Sequence, residues 1–135
     1  MVTNETPFVR PKAIEDWLKR YQAFSETEGR LENALVTTAG ISLPQVHALL
    51  FLAEHGPASN SEVGRFLRRQ AQSMTGLMDR LIAHKYVGKK AHPKDRRAVV
   101  LSMTPKGWAK LLAVLPIMEE TLNGRRSKTP AADAG

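Results

Sequence analysis

A mainly α chain with one small β element, arranged as a winged helix-turn-helix with long flanking helices, is predicted by three observations. The first is the stretch from Gln70 to Val87, QAQSMTGLMDRLIAHKYV. Here Met74, Leu77, Met78 and Leu81 recur at i, i+3, i+4 and i+7, the spacing of an apolar helical stripe. Arg69, Gln72, Gly76 and Arg80 lie opposite, with Ser73 on the flank. The second is Ser59-Asn60-Ser61-Glu62, which has the S-x-x-E form of a capping box and opens a short helix immediately before that stretch. The third is the change of period after Lys85, where Tyr86–Lys90 and Ala98–Ser102 read as two strands around a polar connection. A short helix, a tight turn, a second helix with a polar outer face and a basic hairpin together make the predicted fold.

The 135 residues, 42% of them hydrophobic, suffice for one packed domain, expected over 11–123 between a disordered N-terminus, 1–10, and a disordered tail, 124–135. No run of eighteen apolar residues is present, so no membrane span is expected. The opening MVTNETPFVRPK lacks an apolar signal core, and cysteine is absent; both fit a cytoplasmic protein, and the second removes thiolate metal sites and thiol redox chemistry.

Charge is distributed unevenly. Between Gly64 and Lys110 stand twelve Lys and Arg against Asp79 and Asp95, a net of +10, while the rest of the chain, with eight basic and eleven acidic residues, carries −3. A basic block on a mildly acidic protein points to a polyanion, most often nucleic acid. An anionic membrane surface would call for an amphipathic helix with aromatic anchors, which the block does not supply.

Along the chain, Pro11 suits the first turn of a helix over about 11–37, in which Ile14, Trp17, Leu18, Tyr21 and Phe24 form a stripe resumed by Leu31 and Leu35. A break near Gly29 is open at this point, as is whether the stripe packs within the chain or against a partner subunit. Ser42-Leu43-Pro44 starts a second helix with Val46, Leu49, Leu50 and Ala53 buried, and Gly56-Pro57 stops it. The short third helix is expected to turn Val63, Phe66 and Leu67 inward. No Ser, Thr, Asp or Asn stands before Gln70 to cap the fourth. The hairpin, about 87–102, carries Ala91-His92-Pro93-Lys94-Asp95-Arg96-Arg97 at its tip, whose guanidinium groups suit a narrow minor groove or phosphates. Thr104-Pro105 caps a last helix with Trp108, Leu111, Leu112 and Leu115 inward.

The stretches ISLPQVHALLFLAEHGPAS, SMTGLMDRLIAHKYV and HPKDRRAVVLSMTPKG, with the Leu-Leu pair at 111–112, resemble the MarR (multiple antibiotic resistance regulator) family of transcription factors over about residues 31–115. The resemblance implies that the helix from Gln70 to His84 enters the major groove, with Gln70, Gln72, Ser73, Thr75, Gly76 and Arg80 at DNA and Arg69 beside them. It places the family's D-x-R wing motif on Asp95-Arg96-Arg97: Arg97 as the minor-groove arginine, Asp95 as the carboxylate that orients the wing. Arg96, Lys94, Lys90 and Lys89 become phosphate contacts or solvated charges. It also implies a homodimer and a small-molecule effector held near the second helix, for which His47, Trp17, Tyr21 and Trp108 are the candidates, plain core being the alternative for the aromatic residues. Two departures stand out. Gly76 occupies a position where many members carry a long polar residue, and one helix follows the wing where members usually have two, so the usual C-terminal dimerisation helix is expected to be missing.

His47, His55, His84 and His92 fall on three helices and the wing without metal-site spacing, and there is no phosphate-cradling glycine loop, nucleophile elbow or carboxylate pair beyond simple acidic dipeptides. The expected protein is therefore not an enzyme and uses no cofactor or metal. It is a regulator that binds double-stranded DNA in a sequence-specific way, more in keeping with a repressor. The competing readings are a winged-helix protein-interaction module and a nonspecific nucleic-acid packaging protein.

Overall fold

A computed structural model describes residues 7–69, 71–92, 94–95 and 99–124, with the backbone alone for Ala71 and Gln72. The elements run α1 (Lys12–Ala39), α2 (Leu43–His55), β1 (Ala58–Ser59), α3 (Asn60–Leu67), α4 (Ala71–Ala83), β2 (Val87–Ala91), β3 (Val99–Met103) and α5 (Pro105–Asn123). Among the described residues no single helix is long and apolar enough to cross a membrane.

α1 runs without a break past Gly29 and ends where Gly40 adopts a left-handed φ of 66°. Three residues later α2 begins, turned by 87° from α1. That corner is held by hydrogen bonds that satisfy the free amides of a helix start. The Ser42 hydroxyl accepts from the Gln45 amide and the Gln45 side chain accepts from the Ser42 amide at 2.8 Å. Glu32 reaches across from α1 to accept from the Leu43 amide at 2.6 Å. α3 opens on the expected capping box, with Ser59 and Glu62 bonded reciprocally. The Ser59 amide donated to its carboxylate holds Glu62 below the usual carboxylate range.

α3 and α4 are joined by a turn of two left-over donors. The Arg68 amide donates to the Arg65 carbonyl at 3.2 Å and the Arg69 amide to the Gly64 carbonyl at 2.9 Å, the paired bonds of a Schellman ending. Arg68 itself is left-handed, with φ 58°. α4 ends the same way: Lys85 donates to Ile82 and Tyr86 to Leu81, with Lys85 at φ 65°.

The hairpin pairs β2 with β3 in the register Val87↔Met103, Lys89↔Leu101 and Ala91↔Val99. β1, unforeseen in the sequence, pairs antiparallel with the other side of β3 through Ala58↔Leu101, giving a three-stranded sheet in the order β1-β3-β2. The core gathers Leu31 and Leu35 of α1, Val46 and Leu49 of α2, Val63, the stripe Met74, Leu77, Met78 and Leu81 of α4, Leu101, and Leu111 and Val114 of α5.

Three expected inward faces differ. Phe66 is half exposed and lies over Phe51 at 4.8 Å, on the outer side of α2, while Val63 alone of its trio is fully buried. In α5 the buried stripe is Gly107, Leu111 and Val114, so Trp108 and Leu112 face outward. The cause is steric: a Cβ on Gly107 would lie 2.1 Å from the Tyr86 carbonyl oxygen, so that face of α5 must be bare backbone. In α1 only Leu31 and Leu35 are buried, and Ile14, Trp17, Tyr21 and Phe24 are exposed, because no other described element covers that half of the helix.

Two substitutions test these contacts in opposite directions. Gly107→Ala should destabilise the protein by about 3 kcal/mol, the upper end of ordinary overpacking, because its neighbour is backbone. Arg68→Gly should stabilise it by about 1 kcal/mol by removing the left-handed strain of a residue with a Cβ. Urea unfolding of both variants against the parent reads the two effects.

Candidate nucleic-acid interface

The candidate interface is built on α4, whose inner stripe is almost completely buried and whose outer side is open. Burial of one stripe fixes the helix about its axis, so the polar residues between must face out. Ser73, Thr75, Asp79 and Arg80 are exposed and Gly76 is half-buried. The helix is seated close on α3, since a Cβ at the buried Gly64 would come within 3.0 Å of the Met74 side chain. Beside α4, a groove of about 350 Å³ runs between Ser59, Asn60 and Ser61 at the start of α3, Thr75 and Asp79 of α4, and Lys89 of the hairpin. Lys89, Lys90, Lys94 and Asp95 are exposed. Helix face, α3 start and hairpin therefore share one side of the molecule, rich in amide, hydroxyl and ammonium groups that can meet base edges and phosphates.

Of the residues singled out from sequence, Thr75 lines this groove, Ser73, Arg80, Lys90, Lys94 and Asp95 are exposed, and Gly76 is half-buried. Gln70, the Gln72 side chain, Arg96 and Arg97 lie outside the described residues. Arg69 is different. It is half-buried, and its Nε is enclosed without a hydrogen-bond partner among the described residues. Asn60, Ser61 and Arg65, exposed on α3 beside α4, were not picked out by sequence reasoning; their signal was the polar side of the capping-box helix itself.

A second opening, of about 590 Å³, lies between α1, α2 and the α3–α4 turn. Ser25, Glu28 and Glu32 of α1, Pro44 and His47 of α2, and Arg69 line it. His47 is held below the ordinary histidine range by its burial, and the neighbouring Glu28 carboxylate opposes that shift. The candidates for an effector site are thus divided. His47 lines the opening, whereas Trp17 and Tyr21 stack on each other at 5.3 Å on the exposed side of α1, and Trp108 sits outward on α5. The acidic wall was missed, although Ser25, Glu28, Gly29 and Glu32 recur at helical spacing as a non-apolar stripe.

Among the described residues no group of three or more His, Asp and Glu could hold a metal ion.

Comparison with known proteins places this architecture. The chain is 32% identical over 78 residues to the HTH-type transcriptional repressor NicR of Pseudomonas putida, a match covering 54% of this chain and 49% of NicR. The chain spans about half the length of the curated relatives it matches. Its fold is that of Sco3205, a MarR family transcriptional regulator from Streptomyces coelicolor solved in complex with DNA, with a TM-score of 0.77 at 19% identity over 90% of this chain and 77% of that one. It is also similar to Bordetella bronchiseptica BpsR, whose DNA binding is regulated by 6-hydroxynicotinic acid, with a TM-score of 0.74 at 21% identity over 94% and 89% of the two chains. Residues 41–99, from just before α2 to the first residue of β3, match the MarR family, and the helix-turn-helix and the first strand of the hairpin described above fall within that stretch.

Proposed function

We propose that this chain is a sequence-specific duplex-DNA-binding regulator of transcription, acting in the cytoplasm as a homodimeric repressor and catalysing no reaction. The observation that carries the reading is the two-sidedness of α4. One stripe is locked in the core, and the opposite side, carrying Ser73, Thr75 and Arg80, is open beside the hairpin lysines. Such a helix fits the major groove, about 12 Å wide, while the hairpin reaches the backbone or the neighbouring minor groove. In this reading Gln70, Gln72, Ser73 and Thr75 meet base edges, Lys90 and Lys94 meet phosphates, and Arg97 enters the minor groove with Asp95 orienting the hairpin tip.

The exposed Trp17, Tyr21 and Phe24 of α1 and Leu112 and Leu122 of α5 support pairing of two copies, because several large apolar side chains are costly to leave in water. A dimer would set two reading helices about one DNA turn, roughly 34–36 Å, apart and occupy a promoter by exclusion. The opening at His47 supports an effector site. Arg69 forms part of its wall and stands two residues before α4, so a ligand lodged there acts on the turn that leads into the reading helix. Such a ligand releases DNA by favouring an arrangement of the two helices that no longer matches the groove spacing.

Fluorescence anisotropy with a duplex selected from random sequence, against a scrambled one at about physiological salt, tests the reading. A regulator binds the selected site at least about a thousandfold more tightly; equal binding to both duplexes overturns it. Arg97→Ala should cost roughly 1–3 kcal/mol at the selected site. The histidine makes a further expectation. Because the folded state holds His47 neutral below its ordinary pKa of about 6.5, the unfolded chain binds the proton first, and stability is lost as pH falls from about 6.5 through the folded-state value. His47→Gln should flatten that part of the stability–pH curve, measured by urea unfolding from pH 7.5 downward.

A further inference from the structure

The side chain of Arg80 bears on how this protein tells one DNA sequence from another. On α4, Arg80 stands four residues after Gly76, so the two are vertical neighbours on the helix surface. Helical side chains lean toward the N-terminus, over the preceding turn. Arg80 does so here: a Cβ built on Gly76 would have the Arg80 Nη1 as its nearest neighbour, at 3.6 Å. The guanidinium therefore occupies the space above residue 76 that any longer side chain there would fill. Gly76 is half-buried beneath it and Arg80 is exposed. Neither ion pair found among the described residues involves Arg80, and its side chain makes no hydrogen bond among them, even with Asp79 beside it.

This placement matters because a reading helix touches base edges with its N-terminal part, while residues nearer its C-terminus run toward the backbone. By its position in sequence, Arg80, in the last turn of α4, belongs with the phosphate contacts. By its conformation, its charge is carried back about one turn, toward Ser73 and the centre of the exposed face. A planar guanidinium with free donors at that place matches the O6 and N7 acceptors of guanine, the commonest bidentate contact in the major groove.

Resting on the DNA-binding reading above, we infer that Arg80 is a specificity-determining residue that reads guanine in the major groove, and that Gly76 is the vacancy that lets it do so. The glycine then supplies no contact of its own. It replaces a side chain at 76 with the guanidinium of residue 80.

The test separates charge from shape. The parent and Arg80→Lys, which keeps the charge but loses the planar fork, are titrated with the selected duplex, with single G-to-A changes in it, and with scrambled DNA. In the parent, at least one guanine change should weaken binding roughly tenfold or more. In Arg80→Lys that penalty should vanish, with binding to scrambled DNA altered less than about threefold. Two variants of the glycine complete the argument. At Gly76→Ala the added carbon meets Arg80 at ordinary contact distance, so the guanine preference should survive and the melting temperature should rise. Gly76→Leu displaces the guanidinium and should abolish the preference, with circular dichroism verifying the fold. An Arg80→Lys protein that penalises the same guanine as the parent overturns this inference alone and makes Arg80 a phosphate contact. A parent that binds all duplexes alike overturns the DNA-reading function and this inference with it.

Discussion

The structure depends on a place where there is no room for a side chain. Gly107, one turn into α5, faces the Tyr86 carbonyl so closely that only hydrogen fits between them. Tyr86 belongs to three pieces of the fold at once. Its amide closes the end of α4 on Leu81, its carbonyl accepts from the Thr104 amide at 3.1 Å, and its chain leads directly into β2. The Thr104 hydroxyl reaches the Lys85 carbonyl at 2.6 Å and accepts from the Gly107 amide at 3.0 Å, so the cap of α5 is also the clasp on the end of α4. Lys106 and Lys110 lie over the Tyr86 ring, at 5.4 and 5.9 Å, and Lys110 also donates to the Ala39 carbonyl at the end of α1. The angle between reading helix and hairpin is thus set largely by backbone hydrogen bonds, which tolerate little slack, and is shared with both long helices.

That contact also explains what could and could not be read from the sequence. The helix-turn-helix was legible because its signals are local: the spacing of Met74, Leu77, Met78 and Leu81, and the Ser42, Ser59 and Thr104 caps, each act within a turn of themselves. The outward turn of Trp108 and Leu112 was not, because the facing of α5 is decided by the bare surface of Gly107 against a distant carbonyl, and hydrophobicity carries no record of a missing side chain. β1 was hidden for a related reason. Ala58 and Ser59 have no strand pattern of their own and are extended only because Leu101 and Val100 lie alongside. On the site, the outer side of α4 followed from periodicity, but that the acidic stripe of α1 faces His47 did not, since the two meet only when the Gly40–Ser42 corner turns α2 across α1.

Arg69 and Arg68 show how much the two-residue turn between α3 and α4 has to do. Arg68 takes a left-handed conformation usually given to glycine, and Arg69 folds inward with its Nε enclosed. The turn is bounded on one side by the opening between α1 and α2 and on the other by a groove against Ser61, Arg65 and Thr75. Two basic residues therefore stand where the helix seat, the opening and the polar face converge. A change in any one of the three is felt at the same few backbone atoms.

The short pairing of β1 with β3 has a consequence for how the protein behaves among many copies of itself. A hairpin standing alone offers two open strand edges, and open edges recruit other strands. Here β1 covers the β3 side at its base, which leaves β2 as the outer strand of the sheet on the opposite side. β2 carries Lys89 and Lys90 in succession, both exposed. Lysine on an edge strand resists the approach of a second chain by repulsion between like charges and by the cost of stripping its water. The same ammonium groups that suit a polyanion thereby guard the sheet against edge-to-edge aggregation, and neutralising them for any purpose would expose the fold to it.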